Sequence, residues 1–163
     1  MQLSIKKNLS PSLHLAIGAM LSPLRADHVL ILGSGQATHS LSDLGKPNAA
    51  LSPWAEEFRE WLRDTLTVKA CIWASRLLKW ERAPHARRAH PREEHLIPLM
   101  VAAGAADPYS VKLALRPSKE GGGSGSKIAP TVAVSPKKSH LKGSVIHDGY
   151  ALESLLTTSF RFD

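Results

Sequence analysis

Residues 2–32 read QLSIKKNLSPSLHLAIGAMLSPLRADHVLIL, and this stretch decides the fold class. Gln2 to Ile5 has the look of a short strand. Ser10-Pro11 is a helix start, with serine as N-cap and proline at the first helical position, where its missing N–H costs nothing. The spacing predicts a helix through Met20, ending near Ser22-Pro23 and burying Leu13, Ile17 and Met20. His28 to Leu32 is an apolar run of the length and β-branched content expected of a buried strand. Strand, helix and strand within about thirty residues are the mark of a parallel α/β sheet.

The glycine-containing turn Gly33-Ser-Gly35 follows that second expected strand and leads to His39. Sites in open parallel sheets gather at strand C-termini. Gly33 and Gly35 permit a tight turn and a close backbone approach, and His39 is presented from the loop. It is not a phosphate loop, because no Gly-Lys-Ser/Thr follows. His39 reads equally as an ordinary surface histidine at this point.

Further along, Ser52-Pro53 is a second helix start, and Trp54, Phe58, Trp61 and Leu62 share one face behind it. Val68 to Trp80 is expected to be helical, and Cys71 reads as a small buried residue with no base beside it. Glu81 to Arg92 is expected to be a loop, with His85 and His90 set among arginines. From His90 the chain reads HPREEHLIPLMVAAGAA to Ala106. Pro91 suits a helical first turn, Glu93 and Glu94 suit the positive end of the dipole, and Gly104 suits the stop. His95 is thus expected just inside a helix N-terminus, with Pro98 kinking or ending that helix. It is either a half-buried structural histidine or a ligand. Val111 to Leu115, Ser144 to Gly149 and Ser154 to Phe162 are expected strands, and a glycine-rich and basic insertion occupies about 117–143.

Composition sets the bounds. The chain has 163 residues, 43% of them hydrophobic, a net charge of +7 and a pI near 9.8. That is enough for one domain with one core. No apolar run approaches the roughly twenty residues needed to span a bilayer, and no signal-peptide pattern follows the first lysines. The single cysteine excludes an internal disulfide framework and a multi-thiolate zinc site, so the expected location is cytoplasmic. The basic clusters lack interleaved aromatic residues of the kind that stack bases, which argues against nucleic acid.

Taken in order, Gly33-Ser-Gly35 with His39-Ser-Leu41, then Trp54, Phe58 and Trp61-Leu62, then His90-Pro-Arg-Glu-Glu-His95-Leu-Ile-Pro-Leu99, Gly104-Ala-Ala106 and Phe160-Arg-Phe162 resemble the C-terminal part of the class III extradiol ring-cleavage dioxygenases. The branch they resemble is the 4,5-DOPA extradiol dioxygenase-like family. The resemblance implies a single truncated catalytic-like domain over residues 1–163, with a partial mixed or parallel sheet flanked by helices and lacking the family's N-terminal strands. It implies O₂-dependent cleavage of a catechol such as DOPA at a mononuclear Fe(II) site, with Zn(II) as the alternative metal. His39 then corresponds to the acid/base, and His95 to a metal ligand. His90, Glu94, Arg92 and His147 are candidates for the pocket or for supporting positions. Arg87, Arg88 and Arg92 form a basic mouth suited to a carboxylate-bearing catechol.

Ser40 stands where the family usually has asparagine. The family's two N-terminal metal-histidine motifs are absent from this sequence, which contains no His-Gly dipeptide. One imidazole cannot hold Fe(II) tightly, because such sites need two histidines and a third His or carboxylate. The activity is therefore expected to be impaired. The alternative is an inactive remnant or partner-binding protein of the same fold, with a protein partner or second copy covering the truncated sheet edge.

Overall fold

A computed structural model describes residues 1–39, 52–67 and 72–117, together with the backbone of 143–151 and 155–162. Cys71, most of the glycine-rich and basic insertion, and the Ser40 position lie outside these residues. Six α-helices occur among the described residues: α1 (Pro11–Leu21), α2 (Pro53–Thr67), α3 (Trp73–Leu78), α4 (Ala86–Ala89), α5 (Ile97–Ala106) and α6 (Pro108–Ala114). Two strands, β1 (Gly143–Ala151) and β2 (Leu155–Phe162), pair antiparallel with an irregularity between Val145 and His147.

Helix α1 starts as the sequence predicts, with the Ser10 hydroxyl accepting from the Leu13 N–H. Its buried face is different from the expected one. His14, Leu15, Gly18 and Ala19 are buried, whereas Leu13 and Met20 are exposed. The cause is the crossing of α1 on α5. There Gly18 and Gly104 bring the two backbones so close that a Cβ at Gly18 would stand 2.2 Å from the Val101 carbonyl oxygen. The small side turns inward, and the larger side chains are displaced to the flanks. Gly104 is therefore a contact inside α5 and not its stop. His14 is tied to the N-terminal segment at both ring nitrogens: Nδ1–H donates to the Ser10 carbonyl at 2.7 Å, and Nε2 accepts the Lys6 N–H at 3.0 Å.

The apolar runs at 2–5 and 28–32 lie outside any strand among the described residues. His28 takes a left-handed φ of 59°. Beyond it the chain runs with Leu30 83% and Leu32 82% exposed.

The second half departs from expectation in three places, each with a local cause. Helix α5 begins at Ile97, because Pro98 cannot continue a helix from upstream and fits its first turn instead. Residues 91–96 are turns, so His95 precedes the helix and Pro98 makes no kink. Residues 111–115 belong to α6 and its end and not to a strand. Asp107 caps that helix through Ser110 N–H, with Pro108 at the first position. The segment 81–92 is not a plain loop: a 3₁₀ turn at Trp80–Arg82 and helix α4 fold it inward.

The core joins α1, α2, α3 and α5 with the segment between α3 and α5, and in it Leu15, Phe58, Leu62, Leu66, Trp73, Leu77, Trp80, Leu96, Ile97 and Met100 are buried. Trp54, Phe58 and Leu62 of α2 point into it as expected, and Trp61 lies at its margin. Asp107 links the core to α6. Its buried carboxylate accepts the Trp73 indole N–H at 3.2 Å, the Ser110 hydroxyl at 2.6 Å and the Ser110 N–H at 3.0 Å. Replacing Asp107 by alanine removes a helix cap and strands a buried indole donor. The expected loss is about 3 kcal/mol, read as a lower urea midpoint, while Asp107→Asn is expected to lose less than half as much.

Candidate functional site

The loop after Leu32 is held to the chain between Ala89 and Pro98 by backbone contacts. A Cβ on Gly35 would lie 2.1 Å from the His95 carbonyl oxygen, and one on Gly33 would lie 2.4 Å from that of Pro98. Only glycine allows this approach. Gln36 N–H donates to the His95 carbonyl at 3.1 Å, and His39 N–H donates to the Ala89 carbonyl at 2.7 Å. Both glycines thus sit where the loop backbone meets the chain around His95 and Pro98.

This docking brings His39 and His95 face to face. Their ring centroids are 3.6 Å apart with 27° between the planes. No ligand fits between faces at that separation, so a bound group meets the ring edges. Burial is the main influence holding the His95 imidazole below its usual value, the neighbouring His39 lowers it further, and Glu94 opposes both. His95 is therefore neutral at pH 7, with a lone pair free to bind a proton or a metal ion.

His90 lies beneath the pair. Its side chain is fully buried, and its ring meets Phe58 and Trp80 edge to face at 5.4 and 6.1 Å. Nε2–H donates to the Ala37 carbonyl at 2.9 Å. Burial pushes this imidazole down from 6.5 to about 4; the bond to Ala37 acts the other way, and nearby His39 and His95 lower it further. All three imidazoles thus share one neighbourhood, though sequence separates the first from the others by about fifty residues.

The remaining predicted positions sit elsewhere. Arg92 is exposed and pairs with Glu94 at 3.1 Å. Arg87 is paired with both Glu81 and Glu93 and covers the Trp80 ring at 4.7 Å. Arg88 stacks on Trp54 at 4.7 Å. In the basic mouth expected from these arginines, Arg87 and Arg92 thus have carboxylates beside them and Arg88 lies on an aromatic face. His85 pairs with Glu57 at 3.3 Å. His147 lies in β1 opposite Ser159. An open groove lined by Trp61, Ile72, Ser75, Arg76, Lys79 and Arg82 contains none of the predicted site residues.

Among the described residues no group of three or more His, Cys, Asp or Glu side chains converges to hold a metal ion. His95 with His39 beside it falls short of a mononuclear Fe(II) ligand set. Sequence reasoning missed the bond from His90 to Ala37, which no spacing rule exposes. It also missed the role of Asp107, although Asp-Pro ahead of Tyr109 is a readable helix start.

The family model described as the catalytic LigB subunit of aromatic ring-opening dioxygenase matches residues 6–126. The chain belongs to this family. Similar proteins of the family include a 4,5-DOPA dioxygenase extradiol of Beta vulgaris, 38% identical over 122 residues, which are 74% of this chain and 44% of that protein. One of Portulaca grandiflora is 37% identical over 64% of this chain and 38% of its own length. One of Escherichia coli is 27% identical over 65% and 40% respectively. The chain therefore spans less than half the length of these relatives. The LigB match takes in both docked segments, His39 with its glycines and His90 to Pro98, and ends before Phe160-Arg-Phe162. Extradiol dioxygenase chemistry and its metal dependence attach to the family.

The His90 environment sets a pH dependence. In the unfolded chain this imidazole protonates near 6.5, and in the folded chain only near 4. Between those values the unfolded chain binds the extra proton, so stability is fully present above pH 6.5 and falls as pH drops toward 4. The full window is worth about 3 kcal/mol. Urea midpoints measured from pH 7 to 4.5 are expected to fall accordingly, with a shallower fall in His90→Gln.

Proposed function

We propose that this LigB-family chain carries the C-terminal half of an extradiol site for a catechol such as DOPA. His39 is the acid/base in this reading, and His95 is one metal ligand, for Fe(II) or alternatively Zn(II). The observation that carries it is the His39–His95 stack at 3.6 Å, built from two segments that the family match includes. In extradiol cleavage the ring carbon–carbon bond beside the two hydroxyls is broken, and both atoms of O₂ enter the product. What the chain's own residues do is narrower. The His39 imidazole accepts a proton from a catechol hydroxyl at a ring nitrogen and can return it later. An imidazole ring can both accept and return a proton, which suits both directions. The neutral His95 presents a lone pair beside it.

The ligand set among the described residues is incomplete, and turnover by this chain alone is impaired or absent in this reading. The α/β sheet belongs to the same proposal, with residues 28–32 as a strand whose ladder partners come from outside the described residues, in a cytoplasmic protein. The exposure of Leu30 and Leu32 favours a second reading, a non-catalytic protein of this family whose apolar edge is covered by a protein partner or a second copy. Light scattering of the purified chain addresses that reading directly: a monomer that keeps catechol turnover removes it.

The test of the first reading is an anaerobic titration of the chain with Fe(II) and Zn(II), beside His95→Ala, followed by an oxygen-uptake assay with DOPA. The variant is expected to bind metal at least about tenfold more weakly, consistent with loss of one imidazole donor. Equal affinity in the two proteins would remove His95 from the metal. Ring cleavage by the unmodified chain is expected near background; turnover of about 1 per second or more, ordinary for an enzyme, would overturn the impairment.

A further inference from the structure

His90 uses one ring nitrogen and leaves the other stranded. The Ala37 carbonyl can only accept, so the proton sits on Nε2 and Nδ1 is a bare acceptor. That Nδ1 is buried and has no hydrogen-bond partner among the described residues. An unsatisfied buried acceptor costs about 1–3 kcal/mol. The walls around it include Phe58 and Trp80, which would pack against a leucine or phenylalanine without that cost. Stability alone therefore does not account for histidine here. What an apolar side chain lacks is the Nε2–H.

That hydrogen bond falls at the centre of the loop docking. Gln36 is tied to the His95 carbonyl and His39 to the Ala89 carbonyl, both by main-chain N–H groups. Ala37 lies between these two points, buried at 3% exposure, with Thr38 buried beside it. The His90 imidazole thus supplies the side-chain restraint between two backbone restraints, two residues before the ring that stacks on His95. Burial keeps this imidazole neutral at pH 7, so one tautomer serves throughout the working range.

We propose that His90 is a positioning residue: its Nε2–H holds the Ala37 carbonyl and so fixes the His39 ring against His95. The assignment rests on the reading of His39 and His95 as the reacting pair. Its test involves neither metal nor turnover, so the two can fail separately. In the ¹⁵N-labelled full chain at pH 7, long-range ¹H–¹⁵N correlations are expected to show His90 protonated at Nε2. An Nδ1–H tautomer would overturn the proposal without any variant.

Three substitutions complete the test. His90→Gln places an amide donor near the Nε2 position, His90→Asn places one near Nδ1 and too short to reach Ala37, and His90→Leu supplies none. Ring-to-ring NOEs between His39 and His95, together with exchange of the His39 amide, are the readouts. Gln is expected to keep both near the unmodified values. Asn and Leu are expected to lose the NOE and to exchange about tenfold faster, the effect of losing one hydrogen bond. If Leu fails to fold, the comparison of Gln with Asn decides. Gln and Asn behaving alike, or Leu keeping the NOE, would overturn the proposal.

Discussion

The site depends on one backbone-to-backbone contact, the seating of Gly35 on the His95 carbonyl. Everything that brings His39 to His95 follows from it. The absence of a side chain at Gly35 lets the loop approach, the Gln36 N–H then finds the same carbonyl, and His39 N–H finds Ala89. The imidazole stack is the outcome of this docking and not its cause, since two rings in contact contribute only about 0.5–1.5 kcal/mol. An imidazole pair held mainly by main-chain contacts depends strongly on the register of two short segments.

Packing serves that register. The chain from Trp80 to His90 folds against α2, where Phe58 and Trp80 enclose the His90 ring. Asp107 joins α3 to α6 through Trp73 and Ser110, which fixes the far end of α5. With Pro98 starting α5 and Asp107 ending it, the turn bearing His95 has little freedom to drift. The charged groups nearby are largely matched to one another, as in Arg87 with Glu81 and Glu93.

Much of this was legible in residue types. Ser10-Pro11 starts α1 through the Ser10 hydroxyl, and α2 begins at Pro53 after Ser52, because a helix start is a local matter of capping and one fixed φ. The order of glycines and histidines pointed to the family and to the pair that the structure brings together. What failed was partly non-local. The face α1 buries is set by its glycine contact with α5, which hydrophobic spacing does not register. Val111 to Leu115 is too short for periodicity to separate helix from strand, and the Asp107-Pro108 start decides for helix. His90 looked like a loop residue because its burial comes from Phe58, more than thirty positions away in the chain. Arg87 and Arg92 have carboxylate partners that are also close in sequence, and a reading of the basic cluster that sums only one sign passes over them.

The stretch with Leu30 83% and Leu32 82% open to water ties the chain's behaviour to its own concentration. Encounters between two copies of the same stretch rise with the square of that concentration. Exposed apolar surface favours such contacts. Overproduction therefore promotes self-association where dilute chain stays apart, without any change in the folded core.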